Sequence, residues 1–461
     1  MTVIQSSVPQ STILQHLQTL VGASQVMAGE ELPESLRDRL SGAIAPHSCL
    51  PCVVYPNTQE ELAEVVKCTA QHHWRMMPLG NGSKVQWGGL AENIHLLIST
   101  EKLNRLIDHA VGDLTITAEA GMPFHTLTET LQQQQQHVGL DPAYADHATL
   151  GGVVATGDTG ALRQRYGGVR DRVIGISFVR ADGTLAKAGG RVVKNVAGYD
   201  LMKLMTGAYG TLGMISQLTF RVYPRAETSQ TAVIVGDANS IQALTATVLA
   251  SSLTPHRFDV LSPALLQRLN VEGLSHSDDP DHSLGLAIQF ESIAVSVEQQ
   301  MQQLGNLATA HSLSSLPPLQ DEPEAHLWRQ LQDPMHPTDT QTPITCKIGV
   351  LPNQAIATLH QLPHLLPPDV STGAIAHIHA SSGLGRIQFD GGAIAPTAIL
   401  PLRQWCDTHG GFLSILEAPL SWKQQLDVWG YSGNALPLMQ RLKTQFDPHH
   451  HLNPGRFIHS L

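Results

Sequence analysis

PLGNGSKVQWGG, from Pro78 to Gly89, follows an apolar run and sets Gly80, Gly82, Gly88 and Gly89 among Asn81, Ser83 and Lys84. Residues without a side chain let a backbone turn tightly and bring its N–H groups against an anion. A pyrophosphate needs such a nest, with Ser83 and Lys84 as additional donors. The spacing is not that of a Walker A loop, and Val85 stands where the third glycine of GxGxxG belongs. Two more glycine-punctuated segments follow. TLGGVVATGDTG (Thr149 to Gly160) alternates small and apolar residues, so that backbone can lie flat against something planar or charged. GGRVVKNVAGYDLMKLMTGAYGTLGMI, beginning at Gly189, leads into a strand. Any one of the three would mark only a turn; their succession within one stretch of chain is far more specific.

The order PLGNGSKVQWGG, DPAYADHATLGGVVATGDTG, YGGVRDRVIGISFVRADG, KNVAGYDLMKLMTGAYGTLG and a terminal FDPHHHLNPGRF resembles the vanillyl-alcohol-oxidase (PCMH-type) FAD-binding flavoproteins. Within them it is most similar to the FAD-binding E subunit of bacterial glycolate oxidase, with Val192 to Gly213 the most discriminating part. The resemblance spans Pro46 to about Pro224 and Phe446 to Phe457 and is diffuse between them. It implies an α+β fold: a two-subdomain FAD-binding domain, an α+β cap domain with an antiparallel sheet, and a C-terminal tail returning to the flavin domain. The expected boundaries are 1–45 for an N-terminal helical extension, 46–226 for the FAD-binding domain, 227–410 for the cap and 411–461 for the returning segment.

Composition agrees with a globular chain. Its 461 residues are 42% apolar and 15% charged, enough to bury several cores. A formal net charge of −11 argues against nucleic acid or an anionic membrane face as the main partner. No apolar run reaches the roughly 20 residues of a membrane span, and the first residues lack the charged and continuous apolar regions of a signal peptide. A cytoplasmic location is expected, with any membrane association peripheral and through partner subunits. Five cysteines suggest free thiols. Cys49 and Cys52 form a CxxC with no second pair to complete a ligand set, so no metal site is expected there and an iron–sulfur cluster would belong to another chain.

Along the chain, Ile13, Leu14, Leu17 and Leu20 carry helical spacing. From Cys52 the pattern reads strand, helix, strand, with Thr58 and Glu61 as a capping box that opens the helix. Further strands are expected at Ile94–Ile98, Leu114–Ala118, Val173–Arg180 and Ile215–Tyr223. The cap should supply Val233–Gly236, Phe258–Leu261, Leu284–Phe290, Ile344–Leu351 and Ala374–Ala380. A helix from about Ala395 to His409, the strand Phe412–Leu416 and a helix Ala435–Phe446 should close the chain. The segments 275–282 and 312–324 read as loops, and the glutamine run at 132–136 as the solvated end of a helix.

Carried over residue by residue, the resemblance implies that Pro78, Leu79, Gly80, Asn81, Gly82, Ser83 and Lys84 form the pyrophosphate loop. Pro142, Thr149, Leu150, Gly151, Gly152, Ala155, Thr156 and Gly160 match the second flavin-contacting stretch, and Ile215 a position whose backbone faces the adenine. Asn453 and Arg456 lie in the tail motif; they read either as a flavin contact or as a helix-stop turn with a surface arginine. No histidine or cysteine stands in the first loop, which implies non-covalent FAD.

Oxidation of a 2-hydroxy acid requires a carboxylate anchor and a base for the hydroxyl proton. His377 and His379 have strand spacing that points both to one face, as a base or metal pair or as ordinary core histidines. The stretch HASSGLGRI departs here from the glycine–aspartate–glycine–asparagine run and trailing histidine of catalytic relatives, which leaves a substrate site on this chain open. Three readings follow. The first is the FAD-carrying subunit of a glycolate-oxidising complex, beside a catalytic flavoprotein and an iron–sulfur subunit. The second is a self-sufficient D-2-hydroxy-acid dehydrogenase, and the third a flavin-free scaffold.

Overall fold

The computed structural model describes residues 9–46, 50–191, 198–269, 283–332, 342–392 and 394–461. Cys49 and the whole of the segments 192–197 and 275–282 lie outside these.

Three sheets organise them. In the first, Cys52–Val54 and Met76–Leu79 flank Leu96–Ser99 and pair with it in parallel. The crossover helix Gln59–Gln71 starts where expected: the Thr58 hydroxyl accepts from the Glu61 N–H at 3.1 Å, which satisfies one of the helix's free donors. Its apolar stripe of Leu62, Val65 and Val66 packs against Ile13 and Leu17 of the helix Gln10–Val21. The N-terminal segment is therefore more than an extension, since Val26–Met27 also adds a strand to this sheet. The second sheet is antiparallel, in the order Leu106–Ala110, Thr115–Glu119, Met214–Arg221, Val173–Val179, Leu185–Gly189. The helices Phe124–Gln133 and Leu150–Thr156 bury Leu127, Leu131, Val153 and Val154 against it.

The third sheet has eight antiparallel strands. At its centre Arg257–Leu261 pairs with Ile375–His379, which pairs in turn with Leu384–Asp390. The last of these is a strand where HASSGLGRI read as a departure from a loop motif, because the turn at Gly383 (φ +67°) reverses the chain at once. The far edge is Phe412–Glu417, paired with Pro343–Gly349. This corrects the expected boundary at 410: the strand belongs to the cap sheet, and the following Trp422 and Val428 pack in the same core.

The return to the flavin domain is made later, after the helix Leu436–Phe446. Leu452 bridges Met76 in parallel, with Met76 N–H donating to the His451 carbonyl at 2.8 Å and Asn453 N–H to the Met76 carbonyl at 2.8 Å. Asp447 holds this turn together. Its carboxylate accepts from the buried Lys443 Nζ at 2.7 Å and from the backbone N–H of His451 and Leu452.

Candidate active site

The strand Met76–Leu79 ends at the first glycine segment, and a cleft opens there. Of the residues singled out in the sequence it brings together Pro78, Leu79, Gly80, Asn81, Gly82, Ser83, Lys84, Thr149, Gly152, Ala155, Thr156, Asn453 and Arg456. The backbone N–H groups of Gly80, Asn81, Gly82 and Ser83 have no acceptor among the described residues. Four successive donors left open, with Gly82 at φ +71°, form an anion nest of the kind a pyrophosphate fills. The opposite wall is the helix Leu150–Thr156, capped by Thr149, whose hydroxyl accepts from Gly152 N–H at 3.2 Å.

The tail closes the third side. Asn453 sits at φ +51° and Tyr209 at φ +53°, both outside the conformations these residues favour, and the Asn453 amide donates to the Tyr209 carbonyl at 2.6 Å. Strained backbone persists only where surroundings impose it, and here both strained residues line the cleft. The Oδ1 of Asn453 is buried without a partner, an acceptor available to a bound group. The donor nest and the glycine floor fit the pyrophosphate of a dinucleotide cofactor, and the Asn453 acceptor suits an N–H or O–H donor elsewhere on it.

Other singled-out residues lie elsewhere. Ile215 and Leu150 are core residues behind the cleft wall. Gly151 donates to the Ala120 carbonyl at 2.7 Å, and Pro142 is not among the cleft's lining residues. Gly160 faces a second cavity, its N–H on Asp141 Oδ1 at 3.1 Å. Arg456 reaches the cleft but its guanidinium is already engaged. It donates to the carbonyls of Ala43 (3.2 Å), Gly89 (2.7 Å), Val85 (2.6 Å) and Trp87. It is not a surface arginine: its two terminal nitrogens brace residues 85–89, while its Nε is buried without a partner. Burial without a carboxylate partner pulls it down to about 10. Several glycines answer to packing as well. A Cβ at Gly80 would overlap the Thr149 hydroxyl, and one at Gly89 the Gly455 carbonyl.

The sequence reading missed the junction between cleft and cap. Asp158, inside TGDTG, is buried and accepts from Ala143 N–H at 2.8 Å. Around its carboxylate stand Arg386 and, at 3.4 Å, Lys84, with Lys347 close enough to act on it through space. Arg386 and Lys347 are cross-strand partners in the cap sheet. Burial drives the Asp158 carboxyl up, but the three cations outweigh burial and hold it low. Burial pushes the Lys347 ammonium down. Three cations meet one carboxylate, which leaves the junction with excess positive charge. A buried acid between glycines was the available sequence signal; Lys347 and Arg386 carried none, being far away in the chain.

Beyond Arg386 lies a second, narrow cavity lined by Asp141, Gly160, Asp259, His377 and His379 among others. The histidine pair faces one side, as its spacing predicts, and Asp259 joins it. Burial keeps the His377 imidazole below its usual range. No helix among the described residues is long and apolar enough to cross a membrane.

Comparison with known proteins agrees with this geometry. Residues 50–189 match the sequence family described as FAD binding domain. The chain is similar to D-2-hydroxyglutarate dehydrogenase of Xanthomonas citri pv. viticola, 24% identical over 88% of this chain and 89% of that one. It is 39% identical to glycolate oxidase subunit GlcE of Escherichia coli, over 27% of this chain and 36% of that subunit. To the mitochondrial D-lactate dehydrogenase [cytochrome] of Arabidopsis thaliana it is 28% identical over 60% of its residues, spanning about half (48%) of that protein's length. Among solved structures, p-cresol methylhydroxylase with substrate bound superposes with a TM-score of 0.72 at 13% identity, over 97% of this chain and 96% of that one.

The loop at 78–84 places a test within reach. Gly82→Val puts a β-branched residue at φ +71°, where its Cβ meets only the flexible ends of Leu36, Leu79 and Arg39. The chain should fold, by circular dichroism, while FAD occupancy falls at least about tenfold, since backbone strain of roughly 1–3 kcal/mol is released by abandoning the nest. Full occupancy would remove the loop from the cofactor site. The fold is a PCMH-type FAD-binding domain joined to an α+β cap, and its cofactor is FAD.

Proposed function

We infer that this chain is the FAD-carrying subunit of a complex that oxidises a small 2-hydroxy acid, with glycolate the first candidate. The observation that carries the reading is the cationic junction of Lys84, Arg386 and Lys347 on Asp158, buried where the cofactor cleft meets the cap. A carboxylate substrate entering from the His377 side would meet Arg386 first, because that residue lines both the junction and the second cavity. A guanidinium can hold a carboxylate bidentately and orient its α-carbon. When bound, FAD supplies the two-electron acceptor. His377 is the cross-strand neighbour of Arg386, with His379 on the same face of the sheet, and these side chains would meet a substrate hydroxyl there. The similarity to glycolate oxidase subunits supports a complex of several subunits; in this reading a sister flavoprotein and an iron–sulfur subunit complete it and carry any membrane association. The flavin-free scaffold is disfavoured by the open donor nest.

A second reading has its own support. The D-2-hydroxyglutarate dehydrogenase match runs through the cap as well as the flavin domain, which favours a self-sufficient dehydrogenase for a D-2-hydroxy acid. Visible spectra of the purified chain under anaerobic conditions separate the two. Flavin that stays oxidised with glycolate, D-lactate and D-2-hydroxyglutarate, and bleaches once partner subunits are added, supports the complex. Bleaching by the isolated chain supports the dehydrogenase. Absence of a flavin spectrum overturns both.

A further inference from the structure

The second half of the glycine segment is held from the cap. Residues 85–89 leave the donor nest through two turns, with Val85 N–H donating to the Gly82 carbonyl at 3.3 Å and Trp87 N–H to the Lys84 carbonyl at 3.0 Å. Arg456 of the tail takes the carbonyls of Val85, Trp87 and Gly89. The carbonyl between the first two, of Gln86, accepts instead from Lys423 Nζ, which also donates to the Gly42 carbonyl at 2.9 Å. Lys423 lies on the helix Leu420–Gln425, where its neighbour Trp422 packs in the cap core. A cap side chain is thereby buried, only 7% exposed, against two segments of the flavin side.

We propose that Lys423 is a positioning residue for the cofactor: it holds the loop 80–89 in the shape that leaves four N–H donors open, so that FAD affinity is set by the docked cap as well as by the flavin domain. Two routes lead from its ammonium to the nest. One is the chain itself, from Gln86 through the turns back to Gly82. The other is the helix Glu34–Ser41, which ends at Gly42 and from which Arg39 donates to the Asn81 carbonyl at 3.4 Å. The routes are packed together. Gln86 Nε2 donates to the Arg39 carbonyl at 3.4 Å, and a Cβ at Gly42 would meet that amide at 2.9 Å. Glu417 secures the same loop from the cap by accepting from Trp87 Nε1 at 2.9 Å.

Packing alone does not call for a lysine here. Both of its hydrogen bonds go to backbone carbonyls, and burial, with Arg456 close by, pulls the ammonium down to about 7. Burying a cation that no carboxylate hydrogen-bonds costs stability. What the residue supplies is reach: an amine on a four-carbon stem spans two carbonyls from segments distant in the chain. Charged or neutral, it keeps at least two N–H donors, one for each carbonyl. Such coupling is reciprocal, so the factor by which the docked cap raises FAD affinity is the factor by which FAD raises docking of the cap. The inference concerns the cofactor alone and holds for either reading of the substrate.

The test uses the FAD-loaded chain. Release of FAD after dilution is followed by the rise of free-flavin fluorescence, and the resistance of the cap to limited proteolysis is measured with and without excess FAD. Lys423→Met should release FAD at least about tenfold faster and lose most of the protection that added FAD gives the cap. Phe290→Leu, which loosens the cap core away from the loop, is the control. Its unfolding midpoint should fall while FAD release stays within about twofold of wild type. Should Lys423→Met fail to fold by circular dichroism, Lys423→Gln, which keeps an amide donor for one carbonyl, should show the same acceleration to a smaller degree. Wild-type release from the folded Lys423 variants, or release from Phe290→Leu as fast as from Lys423→Met, would overturn the proposal.

Discussion

Replacing Arg456 with Met should produce the largest loss of any single change outside the sheets: FAD retention abolished, and global stability lowered by roughly 3–5 kcal/mol. The side chain is fully buried and its guanidinium satisfies four carbonyls, of Ala43, Val85, Trp87 and Gly89. Methionine fills much of the volume but donates nothing. Each orphaned buried acceptor costs on the order of 1–3 kcal/mol before relaxation. Three of these carbonyls, of Val85, Trp87 and Gly89, belong to the loop whose first half forms the donor nest, so the loop should lose its shape before the fold is lost. Lys is not a conservative rescue, since one ammonium cannot span four acceptors. Chemical denaturation followed by tryptophan fluorescence measures the first effect, since Trp87 lies in this loop and Trp429 Nε1 donates to the Arg456 carbonyl at 3.1 Å. The flavin-to-protein absorbance ratio measures the second. A variant with wild-type stability and full flavin would show that the tail is held by the Asp447 turn alone.

The second large effect is at Asp158. Asp158→Asn keeps the volume and the acceptor for Ala143 N–H but leaves Lys84, Arg386 and Lys347 buried without their carboxylate. Removing one partner of a buried ion pair costs about 3–5 kcal/mol. The loss should fall first on the contact between flavin domain and cap, since Lys84 and Asp158 stand on one side and Lys347 and Arg386 on the other. Limited proteolysis of the variant should release the cap under conditions where the wild type resists.

The pH dependence has a definite sign. A carboxyl held below its unfolded value stabilises the fold above that value, and the contribution disappears as pH falls through the folded one. Wild type should therefore lose stability on the acid side more steeply than Asp158→Asn, which has no proton to take up. Parallel acid limbs for the two proteins would show that the cluster is held by packing rather than by charge.

The chain illustrates how far a glycine signature carries. The strand and helix positions around Pro78 to Gly89 were legible because a strand, a capped amphipathic helix and a second strand are each local patterns. Thr58 caps through a residue three positions away, and the helix buries residues at helical spacing. The cofactor loop was legible for a related reason: an anion nest is made by consecutive backbone groups, so its requirement appears as consecutive small residues. The glycines themselves were ambiguous. Gly80 and Gly89 are needed as much for the approach of Thr149 and Gly455 as for a ligand, and sequence cannot distinguish the two uses.

What the sequence by itself determined, then, was the glycine loop at the cleft, its strand and helix frame, and the one-sided placing of His377 and His379. The rest was decided by tertiary structure, because its partners are distant in the chain and one-dimensional spacing holds no record of them. Asp259 meets His379 only through strand pairing across 120 residues, and Arg386 meets Asp158 across 228. Glu417 closes the cap against the flavin domain by accepting from Trp87 Nε1 at 2.9 Å and from Tyr144 at 2.6 Å, while its strand joins the cap sheet's edge through backbone pairing with Pro343–Gly349. Buried charges of this kind are stable only in company, and that company is assembled by sheet register and domain packing after the local elements have formed.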